Sequence, residues 1–188
     1  AVDTVDITVK GKGGHGASPH MTIDPIVLAA RIILDLQTIV SREVKPTEAA
    51  VVTVGSIHGG TKHNIISDEC RLQLTLRSLT PTVRKQLQEA VRRKALAAAQ
   101  SAGAPEPTVE ISEGTPATFN DPQLTQRLAT ALKKRFGDDK VKEDEPVMGG
   151  EDFGRFGSTG VPCCMLRLGA VSQKRLDEFA ARHVPPSS

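Results

Sequence analysis

The chemistry this sequence could perform centres on a histidine set among glycines: His15, in the run KGKGGHGASPHMTID over residues 10–24. A backbone free of Cβ atoms lets an imidazole stand out toward a partner surface, and an imidazole N–H can donate a hydrogen bond to a developing oxyanion. The plain alternative is a solvated loop histidine. The segment from Gly11 to Gly16 also spells G-x-G-x-x-G after a strand, the pattern of a dinucleotide-binding loop. Its context argues against that use. The next helix starts roughly eight residues after Gly16 and behind Pro25, and the following strand does not end in the acid that would hold a ribose.

Other chemistries find less support. The five histidines, His15, His20, His58, His63 and His183, show neither H-E-x-x-H nor a clustered His/Asp/Glu spacing, and no serine sits on a G-x-S-x-G elbow. Charge is balanced, 24 Lys+Arg against 22 Asp+Glu, so no strong field recommends nucleic acid or a membrane as partner. Trp and Tyr are absent and Phe numbers five, which leaves no aromatic platform for stacking bases. No apolar run approaches the roughly 18 residues of a membrane span. Cys70, Cys163 and Cys164 are an odd count, and the last two lie in the apolar run VPCCML. They read as reduced core thiols of a reducing compartment, the cytoplasm.

These groups need a scaffold, and the periodicities describe one. Val5, Ile7 and Val9 alternate with Asp6, Thr8 and Lys10, a half-buried strand. Asp24-Pro25 caps a helix whose apolar face runs through Ile26, Ile33 and Val40 to about Ser41. Residues 49–57 carry no charge and read as strand two, residues 70–77 as strand three, residues 80–103 as a second helix and 105–112 as a last strand. Strand, helix, strand, strand, helix, strand is the split βαβ of a ferredoxin-like α+β sandwich: a four-stranded antiparallel sheet with two helices on one face. After Gly114 come a helix over 121–136, a glycine turn at 148–153, a buried strand over 162–168 and a charged segment over 173–182. One strand cannot make a sheet, so this part reads as a partial α/β segment of a larger domain. An opening directly in a strand and an end at VPPSS read as a piece of a longer polypeptide.

Several spaced segments carry a resemblance: GKGGHGASPH, Asp24-Pro25-Ile26 with LQTIVSRE, VVTVGSIHGGTKHNIISD, LQLTLRS and MGGEDF. Together they resemble the metal-dependent amidohydrolases related to hippurate hydrolase and plant auxin-conjugate hydrolases, within the aminoacylase and carboxypeptidase G group of two-metal peptidases. The resemblance implies that residues 1–113 are a lid and dimerisation domain and residues 114–188 the C-terminal portion of the catalytic domain. It implies that His15 reaches the partner subunit's active site and binds the substrate carbonyl, and that Asn64 and Arg77 contact substrate, the arginine through its planar fork. Glu151, in the GGEDF turn, would border the substrate pocket. Two divalent metal ions of zinc or manganese type, a homodimer and a small amide substrate are implied for the full-length enzyme. The metal ligands of that family, its catalytic glutamate and its closing histidine segment are absent from this chain, and His183 stands in the wrong context to replace the last. A second reading, from the uncharged strand alone, is a non-catalytic homodimerising module.

Overall fold

The computed structural model describes residues 1–182. Alternation at the start of the chain becomes β1 (Val2–Lys10), with Val5, Ile7 and Val9 buried and Thr4, Asp6 and Lys10 on the other side. A two-residue strand, β2 (Gly14–His15), precedes helix α1 (Pro25–Thr38). The Asp24 carboxylate accepts from Ile26 and Val27 N–H, and Pro25 occupies the first turn, where its missing N–H costs nothing. The helix runs past Ser41 as a π-helical turn, Ile39–Glu43, that ends when Val44 N–H returns to Ile39 C=O. Then come β3 (Ala50–Gly59), the short β4 (Ile65–Ile66), β5 (Glu69–Ser78), α2 (Pro81–Ser101) and β6 (Thr108–Thr115). Thr80 and Pro81 start α2 as Asp24 and Pro25 start α1.

The main sheet is antiparallel in the order β3-β5-β1-β6, and β2 pairs with β4 in a second, two-stranded sheet. The uncharged strand β3 therefore lies at an edge, as the split βαβ order requires. Leu28, Ile32 and Leu36 of α1 and Val83, Leu87 and Val91 of α2 meet the inward residues of β1 and β5 in one core. Side chains such as Ile7, Leu72 and Leu87 are fully buried, each contributing about 1.5–3 kcal/mol of transfer free energy. The last strand sits about three residues later than its pattern suggested. Pro105 and Pro107 have no N–H to offer a ladder, so pairing begins only at Thr108.

Residues beyond Thr115 differ from expectation in one place. Helices α3 (Pro122–Phe136), α4 (Gly154–Gly157) and α5 (Gln173–Ala181) form, but residues 162–168 are not a buried strand. Only Cys163 in that run is buried, Leu168 is 93% exposed, and its main-chain groups are held by Asp121 N–H to Cys163 C=O and by Asn120 on both sides of Met165, with no described strand alongside. An apolar run has a strand's composition but becomes one only beside another strand, and none is available to it among the described residues. Phe119, Phe136, Phe156 and Leu166 are likewise exposed here. All three cysteines are free, Cys70 and Cys163 buried and Cys164 half-buried. No described helix is long and apolar enough to cross a membrane.

Candidate active site

The glycine-rich run serves close backbone packing. A Cβ on Gly11 would lie 2.3 Å from Ile23 O, and one on Gly13 would lie 2.8 Å from Ile66 O. Gly11 N–H donates to Asp68 C=O, Gly13 N–H to Asp68 Oδ1, Lys12 N–H to Ile23 C=O and Gly16 N–H to Asn64 C=O. With these amides turned inward and no helix N-terminus ahead of them, the loop has nothing to offer a pyrophosphate. What it does instead is pin His15 to the second sheet: His15 pairs with Ile65 and Gly14 with Ile66. The imidazole is exposed at the tip.

Asn64 stands beside this ladder, one residue before β4, and is exposed. His15 and Asn64 are thus brought together by main-chain pairing across 49 residues of sequence, a juxtaposition that local spacing could not show. Arg77 lies elsewhere. It is opposite Val2 and Val51 on the helix-free face, whereas the His15 loop leaves the sheet where Lys10 meets Glu69, eight register steps away. At a strand rise near 3.3 Å per residue the two ends are roughly 26 Å apart. The Arg77 guanidinium donates to Met148 C=O at 2.7 Å, and the same turn packs Gly150 against Val2. Glu151 is exposed and accepts from Phe153 N–H at 3.0 Å, capping the turn that leads into α4. The four residues therefore fall into two pairs, His15 with Asn64 and Arg77 with the 148–151 turn, at opposite ends of one sheet.

The 102-residue stretch 2–103 matches the model of the peptidase dimerisation domain, M20_dimer. The chain belongs to the M20 peptidase dimerisation family. A thermostable carboxypeptidase 2 of Saccharolobus solfataricus is 38% identical over 92% of the chain and 43% of its own length. An IAA-amino acid hydrolase, ILR1-like 2, of Arabidopsis thaliana is 36% identical over 96% of the chain and 40% of its own length. The Bacillus subtilis YXEP protein, a dinuclear metal-binding peptidase of the M20 family, superposes with a TM-score of 0.67 and 28% identity over 86% of this chain and 38% of that one. The chain spans about two fifths of the relatives it matches. Its relatives are named hydrolases and peptidases.

Two further features bear on what this M20 dimerisation domain can do by itself. No group of three or more His, Cys, Asp or Glu among the described residues could hold a metal ion, so the described residues do not fit a metal centre. An open hollow of about 510 Å³ between the ends of β3, β4 and β5 includes Arg71 and Glu69, but these are already paired at 2.7 Å and leave no convergent catalytic set. Sequence reasoning passed over the most buried charge. Asp3 is 1% exposed and accepts from Arg84, from Gln88 and from Gly114 N–H, while Arg84 also faces Glu113 at 3.7 Å. The signal was its place in β1, in phase with inward Val5, Ile7 and Val9.

Proposed function

We propose that this chain is the lid and dimerisation part of a two-metal amidohydrolase acting on N-acyl amino acids or similar amides. Residues 1–113 are the lid and 114–188 a portion of the catalytic domain, whose exposed Phe119, Phe136 and Leu168 await the remainder of that domain. The divalent ions, of zinc or manganese type, are held by residues outside this chain, and no step is assigned to them here. Free cysteines suit a cytoplasmic enzyme.

The observation that carries the reading is the separation of the two residue pairs by the length of the sheet. β3 is an edge strand with no Asp, Glu, Lys or Arg in Ala50–Gly59, and Ile26 and Ile33 lie on one flank of α1, which packs against it. Pairing of β3 with its copy about a two-fold axis normal to the sheet is antiparallel. That arrangement sets the Gly59 end of one protomer beside the Ala50 end of its partner. His15 and Asn64 then come level with the partner's Arg77 and glycine turn, and each site is composite. His15 donates from Nε2 to the substrate carbonyl oxygen as negative charge grows on it, Asn64 and the planar fork of Arg77 hold the flanking polar groups, and Glu151 borders the pocket.

Sedimentation tests the pairing: the chain should be a dimer, and Thr53→Lys with Ile57→Lys should weaken it roughly ten-fold or more by placing charge on the edge that must pair. A monomer at high concentration in the unaltered chain would refute edge pairing. The activity is tested in the complete polypeptide with manganese or zinc and a hippurate-like amide. Absence of metal-dependent turnover in a folded dimer would leave the second reading, a non-catalytic homodimerising module, which the uncharged edge favours.

A further inference from the structure

Ala17 carries no functional side chain, yet its backbone N–H donates to Nδ1 of His15 at 3.2 Å. A backbone N–H can only donate, so Nδ1 must present its lone pair. In a neutral imidazole the one remaining proton is then on Nε2. The bond is set in a frame fixed on both sides. Gly14 and His15 are laddered to Ile66 and Ile65, Gly16 N–H is held by Asn64 C=O at 2.8 Å, and Ser18 N–H returns to His15 C=O at 2.9 Å. Among the described residues no protein group meets Nε2.

We infer that the Ala17 N–H is a positioning group that holds His15 in its Nε2–H tautomer, so that the exposed edge of the ring meets a carbonyl as a donor. In the other tautomer a lone pair on Nε2 would face the oxygen and repel the charge developing there. The inference rests on the proposed role of His15 as an oxyanion donor, and it gives tautomer control to a main-chain donor, in the sense opposite to a carboxylate, which accepts from Nδ1–H and leaves the lone pair on Nε2.

Nitrogen NMR on the full 188-residue chain, with labelled histidine and backbone, tests it at a pH of about 8.5, above the ordinary imidazole range. The expected spectrum shows Nδ1 of His15 as the unprotonated nitrogen, Nε2 as the protonated one, and a scalar coupling between Nδ1 and the Ala17 amide nitrogen. Ala17→Pro, which removes the donor, should move the tautomer ratio toward Nδ1–H by roughly five-fold, and Ala17→Gly, which keeps it, should leave the ratio in place. A major Nδ1–H form in the unaltered chain, or an unmoved ratio in folded Ala17→Pro, overturns the inference. Should Ala17→Pro misfold, the coupling in the unaltered chain decides alone. Because this readout is independent of turnover, a His15 without catalytic effect would refute the proposed role and leave the tautomer result standing.

Discussion

Asp3→Ala is expected to cost about 3–5 kcal/mol of folding stability, because it strands a partly buried guanidinium that two parts of the chain depend on. Arg84 is 19% exposed at its side chain, and its partner carboxylate is 1% exposed. Without Asp3, the Arg84 charge keeps only Glu113 at 3.7 Å, and Gln88 and the Gly114 N–H lose the acceptor they share. Against a total stability of typically 5–15 kcal/mol, that loss is large. Urea unfolding should show it as a lower midpoint with an unchanged slope, and a change below about 1 kcal/mol would mean that water replaces the carboxylate at little cost.

The same cluster sets an acid limb. Burial by itself would raise the Asp3 pKa, but hydrogen bonds from Arg84, Gln88 and Gly114 N–H outweigh it and hold the carboxyl below its ordinary 3.8. A carboxyl depressed on folding contributes stability that is present above its unfolded value and lost as pH falls through the folded one. Stability should therefore decline below about pH 4, and Asp3→Asn should flatten that decline while lowering stability at neutral pH.

In the complete enzyme, His15→Ala is expected to lower kcat by roughly 10²–10³, the effect of losing one oxyanion donor, with a smaller change in KM. Its trans placement has a separate signature. Mixed with Arg77→Ala protomers, His15→Ala protomers should form heterodimers in which one site carries both defects and the other carries neither. Random pairing makes half the dimers mixed, so about a quarter of full activity returns. No recovery on mixing would place His15 and Arg77 in one protomer's site, and an unchanged rate in His15→Ala alone would return it to a solvated loop residue.

Much of the sandwich was legible because each element carries its own instruction. The period-two alternation around Val5 and Leu74, the three-and-four spacing of α2 and the cap-proline starts at Asp24 and Thr80 are local signals. The order of those elements leaves little choice of topology. The run over 162–168 misled because its composition fits a strand while strand formation requires a neighbour that this stretch lacks. Asp3 was missed for the opposite reason. Its phase on β1 marked it as inward, but only tertiary packing supplies the Arg84 that makes an inward carboxylate tolerable.

The sequence by itself determined the fold class, the edge position of an uncharged strand, and the family that the spaced motifs resemble. Tertiary structure alone decided how the four chosen residues group. His15 met Asn64 through the β2 and β4 ladder, Arg77 went to the far end with Met148, and Ala17 turned its N–H onto the imidazole. The physical reason is that periodicity reports which face a residue occupies, whereas a site depends on which strand end and which main-chain partner it meets. Those are set by register and by loops whose hydrogen bonds form only when the whole sheet has closed.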